Sequence, residues 1–112
     1  MKSRMLLSIL GTGLIACAFY SGAIAQDVDA AKELMKQNKC SKCHTTDKEK
    51  DGPSYKQTAA KYKGTGDAEA KLSEFLLSGK APTGGDEHTP VKTTPPNDKA
   101  QVTNLVKYIL SL

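Results

Sequence analysis

The sequence has no tryptophan, three cysteines and two histidines in 112 residues. Three cysteines are too few for a disulfide scaffold. The length suits one small domain and is too short for two, which excludes large multidomain enzymes. Aliphatic residues are also scarce where a core would need them. The strongly apolar side chains are densest over residues 5–25, and the remainder is Lys-rich. A chain of this kind buries little surface by itself and calls for a staple, such as a cofactor, to complete its core. There is no strand-like alternation and no internal repeat.

The apolar start reads as an address. Lys2 and Arg4 precede the apolar stretch 5–18, and Ala23-Ile24-Ala25 supplies small residues of the kind accepted by signal peptidase. Ser8, Gly11, Thr12 and Gly13 interrupt the stretch, which falls short of the roughly 20 apolar residues that a membrane span prefers. Leu14-Ile15-Ala16-Cys17 resembles a lipobox with Cys17 as the lipidated residue. Ala18-Phe19-Tyr20 follows it in place of a polar tether, so cleavage after Ala25 is the favoured reading. Residues 1–25 are thus expected to be a signal peptide, residues 26–112 the domain, and the periplasm its location. The leader takes two of the sixteen basic residues and none of the twelve acids. A mature charge near +2 follows, which is no nucleic-acid-binding tail.

Only Cys40 and Cys43 then survive, in the run Cys40-Ser41-Lys42-Cys43-His44. This is the C-x-x-C-H signature of covalent haem attachment. Two thiols one helical turn apart reach the two vinyl groups of one porphyrin, and the histidine that follows lies under the iron as proximal ligand. A disulfide redox pair would not require His44. A zinc site would require further ligands at matching spacing, and no other cysteine remains. The reading is one haem c, bonded through Cys40 and Cys43.

Four helices are expected around it. Val28, Ala31, Leu34 and Met35 give a helical apolar stripe over 28–38, with Asp27 as N-cap. Gly52-Pro53 makes a turn into a short helix over 54–62, with Tyr55, Ala59 and Tyr62 on one face. A third helix over 67–77 has Asp67 placed to cap it, Leu72, Phe75 and Leu76 inward, and Gly79 to stop it. After a Gly/Pro-rich loop over 80–98, the last helix, 100–112, carries Val102, Leu105, Val106, Ile109 and Leu110. The fold class is all-α.

With these residues in place, the chain resembles the small bacterial class I cytochromes c of the c-551/c-552 type. Besides Cys40 to His44, the likeness runs through Gly52-Pro53-Ser54-Tyr55-Lys56, Ala59-Ala60-Lys61-Tyr62, the stretch 68–79, Pro95-Pro96-Asn97 and Leu105-Val106-Lys107-Tyr108-Ile109-Leu110-Ser111. The resemblance implies a small class I cytochrome c fold in which the first and last helices cross, with Met35 and Tyr108 near the crossing. It also implies that the carbonyl of Pro53 accepts the ring N–H of His44, orienting it and raising its basicity.

The resemblance breaks at one place. Such cytochromes usually take a sixth ligand from a Met just before a Pro-Pro in the loop preceding the last helix, and here Thr94 stands there. Met35, the remaining Met of the domain, sits at a core position of the first helix. His88 is the histidine outside the attachment motif, and it falls in this same loop. Asp86-Glu87-His88 looks like the acidic run plus His found in some small relatives. The expectation is bis-histidine ligation by His44 and His88; an open position, or Lys80 or Lys92, is the alternative. A second imidazole in place of a thioether implies a lower potential than in Met-ligated relatives.

The functional reading is a single-electron carrier, not an enzyme: beyond the haem motif the sequence offers no constellation for nucleophilic or acid–base catalysis. Alternatives are a small-ligand-binding or sensor haem protein with an open distal site, and the haem subunit of a periplasmic oxidoreductase. Redox proteins are the implied partners. Lys36, Lys39 and Lys42 flank the attachment segment, where they either steer acidic partners or form a solvated face.

Overall fold

The computed structural model describes residues 26–81 and 87–112. The expected leader and the loop residues Thr83 to Asp86 lie outside them. The described residues form α1 (Val28–Gln37), a 3-10 turn (Cys40–Lys42), α2 (Tyr55–Tyr62), α3 (Ala68–Ser78) and α4 (Lys99–Leu110), with no strand among them. This is the expected all-α fold. No helix among the described residues is long and apolar enough to cross a membrane.

The helix boundaries follow from local chemistry. Asp27 caps α1 by accepting the N–H of Ala30 at 2.9 Å. Ser54 lies just outside α2 and forms a capping box with Gln57: its hydroxyl accepts the Gln57 N–H, and its own N–H donates to the Gln57 side chain. Asp98 caps α4 by accepting the N–H groups of Ala100 and Gln101, which starts that helix one residue earlier than the apolar pattern suggests. The two hydrogen bonds from Gln101 and that from Ala100 hold the Asp98 carboxyl below the usual carboxylate range. Asp67 departs from expectation. It stands at the start of α3 but makes no capping hydrogen bond, because its backbone (φ −122°, ψ 30°) lacks the extended conformation of a capping residue.

Every other helix packs against α4. Val102, Leu105, Val106 and Ile109 of α4 are buried with Ala31 and Leu34 of α1, Leu72 and Leu76 of α3, and Val91 from the segment before α4. Leu110, expected among them, is only partly buried because it sits at the end of the stripe. Phe75, Met35 and Tyr108 also pack at the margin of this cluster. One reciprocal clasp pins α1 to α4. The N–H of Asp27 donates to the Asn104 side chain at 2.8 Å, and the Asn104 amide donates back to the Asp27 carbonyl at 2.8 Å. The helices thus leave the 40–55 segment and the 88–98 segment to face one another.

Candidate functional site

The attachment segment is wound tightly. The 3-10 turn is entered through Lys39, whose backbone is left-handed (φ 54°). The N–H groups of Cys43 and His44 both donate to the carbonyl of Cys40, at 3.2 and 2.9 Å. Cys40 is half-buried, Cys43 exposed, and the two are not joined in a disulfide. Burial, with a smaller push from Cys43, raises the Cys40 thiol above its ordinary value. No group of three or more His, Cys, Asp or Glu gathers among the described residues.

His44 is fixed from two sides. Its Nδ1 lies 2.7 Å from the carbonyl of Pro53; a carbonyl only accepts, so Nδ1 is the donor and Nε2 is the ring nitrogen outside that bond. The ring also lies against Gly52, where an added Cβ would come within 2.5 Å of Cε1. The Gly52 N–H in turn donates to the Cys43 carbonyl at 2.9 Å, so the segment closes on itself. Tyr55 stands beside the ring, centroids 5.7 Å apart. Burial, followed by the proximity of Cys40 and Tyr108, pushes the Tyr55 phenol up to about 12.

His88 comes to the same place from the opposite side of the chain. Its ring centroid is 5.9 Å from that of His44, with the ring planes within 29° of each other. Its Nδ1 lies 2.7 Å from the carbonyl of Thr89, so in this ring too Nδ1 is the donor and Nε2 lies outside that bond. Phe75 packs beside it, centroids 5.5 Å apart. The other candidates stand elsewhere. The Thr94 side chain is exposed, and the residue turned inward is Thr93. Its hydroxyl is already occupied, donating to the Pro95 carbonyl and accepting the Asp98 N–H. Met35 lies at the margin of the core, and Lys80 and Lys92 are exposed.

Three supports escape a reading of the sequence. Asn38, just past α1, donates from its side-chain amide to the carbonyls of Leu34 and Lys92 and accepts the Lys92 N–H at 2.8 Å. It ties the first helix to the segment that follows His88. Phe75 and Gly79 at the end of α3 meet His88 itself. An asparagine at a helix end is a C-cap signal that hints at the first; nothing local announces the contacts of Phe75 or Gly79 with residue 88.

A cavity of about 750 Å³ opens beside His44. Lys32, Lys36, Lys39 and Lys42 line it together with Met35, Tyr55 and Tyr108. Among the described residues none of these four lysines pairs with a carboxylate; the two ion pairs present are Lys56–Asp47 and Lys107–Glu69.

Comparison with known proteins identifies the family. The cytochrome c family model matches residues 28–112. Cytochrome c-551 of Pseudomonas aeruginosa is 37% identical over 111 residues, covering 99% of this chain and 98% of its own. The crystal structure of the class 1 cytochrome MtoD from Sideroxydans lithotrophicus ES-1 is 50% identical with a TM-score of 0.64, covering 78% of this chain and 97% of that one. Wild-type cytochrome c552 of Nitrosomonas europaea is 31% identical with a TM-score of 0.56, covering 72% and 98%. With its attachment motif, helix order and these likenesses, the chain belongs to the cytochrome c family, as a small all-α class I bacterial member that bears one haem c bonded through Cys40 and Cys43 and carries electrons rather than catalysing a reaction.

Proposed function

We propose that this cytochrome is an exported one-electron carrier of low potential, with its iron held between Nε2 of His44 and Nε2 of His88. One observation carries the reading. Two imidazoles sharing a metal ion through bonds of about 2 Å stand with their centroids roughly 6 Å apart; these two rings stand 5.9 Å apart, each with Nδ1 engaged by a backbone carbonyl and Nε2 outside that bond.

The haem supplies an iron that changes oxidation state by one electron. The chain's own part is to hold both axial positions. The carbonyls of Pro53 and Thr89 fix each tautomer and make each imidazole a stronger donor. Two such nitrogens favour the oxidised state more than a nitrogen and a thioether do, which lowers the potential relative to Met-ligated relatives. With both positions filled by side chains, small ligands find no site, and the geometry changes little between oxidation states. The four lysines beside His44 present a positive face that draws acidic redox proteins toward this side. Residues 1–25 are read as a leader removed on export to the periplasm.

The test is the visible spectrum of the holoprotein beside that of His88→Ala. The parent is expected to be low-spin in both oxidation states and indifferent to carbon monoxide, and the variant high-spin and able to bind it. An unchanged spectrum in the variant, or carbon monoxide binding by the parent, overturns the ligation. The mass of the exported product checks the leader: residues 26–112 plus one haem are expected, and a retained N-terminus contradicts it.

A further inference from the structure

We infer that the C-terminal end of α3 is a built seat for the second axial ligand, with Gly79 and Phe75 as positioning residues that keep His88 from being exchanged for an external ligand. The inference rests on the ligation proposed above and adds what holds it.

Four contacts define the seat. α3 ends at Ser78, and Gly79 follows in the left-handed conformation (φ 74°), its N–H donating to the Phe75 carbonyl at 2.8 Å. The Gly79 carbonyl then accepts the N–H of His88, and the Leu76 carbonyl accepts the N–H of Val91, both at 2.8 Å. Carbonyls at a helix C-terminus are left without partners inside the helix; here the segment 88–91 supplies them. The third contact is steric. A Cβ on Gly79 would stand 2.2 Å from the His88 carbonyl oxygen and 3.1 Å from Pro90 Cγ, so any larger residue pushes the His88 backbone off the helix end. The fourth is the ring of Phe75, tilted 57° to that of His88 with centroids 5.5 Å apart. That arrangement is favourable for an aromatic pair and sets the angle of the imidazole.

The segment is anchored on its far side as well. Val91 is buried in the core and Lys92 is held by Asn38. His88 is therefore presented by a fixed backbone rather than by a free loop. A ligand held this way loses little entropy on binding and competes well against ligands from solution. On this account the end of α3 decides whether the protein is a carrier or a ligand-binder.

The experiment compares the parent holoprotein with Gly79→Ala, Phe75→Leu, Phe75→Tyr and His88→Ala, using carbon monoxide and free imidazole as probes. Gly79→Ala is expected to show a high-spin fraction and to bind carbon monoxide in its reduced form. Phe75→Leu is expected to stay low-spin, with altered electron paramagnetic resonance g-values and imidazole uptake faster by about two- to tenfold. Phe75→Tyr, which keeps the ring, should restore the parent's signature. A Gly79→Ala protein with native far-ultraviolet dichroism and the parent's spectrum overturns the inference. If that variant fails to fold, parent-like g-values and imidazole uptake in Phe75→Leu overturn it instead. His88→Ala separates the two claims. A parent-like spectrum there removes the ligation itself, whereas an altered one beside parent-like Gly79→Ala and Phe75→Leu removes only the seat.

Discussion

The two histidines reach the same space by opposite routes. His44 is held within its own neighbourhood: Cys40, Cys43, Gly52 and Pro53 supply its turn, its packing and its hydrogen bond, none more than nine residues away. His88 is held by contacts with Phe75 of α3 and Gly79 just past it, and its segment by Asn38 just past α1, 54 residues from Lys92. The first side of the site is a local motif, and the second is assembled by the tertiary fold. A local motif can form before the protein folds; an assembled one exists only afterwards.

The largest effect follows from removing what joins the two sides. Without haem, the ten core hydrophobic residues include no aromatic side chain, and a domain this small commonly needs a staple to fold. The chain with Cys40 and Cys43 replaced by Ala is expected to be largely unfolded, as read by near-ultraviolet dichroism. Native-like dichroism in that protein would show that the fold brings the two sides together without the staple.

A smaller perturbation loosens the second side alone. Asn38→Ala removes the two hydrogen bonds that tie the end of α1 to Lys92, and a third back to Leu34, at a cost of about 1–3 kcal/mol. Chemical denaturation of the holoprotein measures that cost, and the bond to His88 should weaken before the one to His44. Equal weakening on both sides would dissolve the contrast drawn here.

The smallest effect belongs to the first side. Folding pushes the Tyr55 phenol from 10.0 to about 12, through burial first and then the proximity of Cys40 and Tyr108. The folded state therefore holds this proton more tightly than the unfolded chain does. Its contribution is complete below pH 10 and is lost as the pH rises toward 12. Because Tyr55 is partly open to solvent, the loss should amount to under about 1 kcal/mol. Ultraviolet titration of the parent against Tyr55→Phe isolates this phenol, and the variant should lose the corresponding fall in stability.

The same contrast explains what could be read in advance. The helices were legible because their apolar residues recur at helical spacing and because Asp27 and Gly79 punctuate α1 and α3. The attachment motif was legible because its chemistry demands adjacent residues. Asp67 misled because a capping residue type does not guarantee a capping backbone. The inward turn of Thr93 in place of Thr94 depends on a hydroxyl bridging Pro95 and Asp98, which no periodicity encodes. Phe75 read only as an inward residue of its helix, and its place beside the His88 ring appears when α3 meets residue 88.

The reciprocal clasp between Asp27 and Asn104 spans 77 residues, and α4, on which every other helix rests, is the last element of the chain. The contact between α1 and α4 therefore forms only once residue 104 is present, however early the helices before it form. The two ends of the domain are thus tied directly to each other, so a cut in the segment between α3 and α4 would leave the two pieces joined by this clasp and by the shared core.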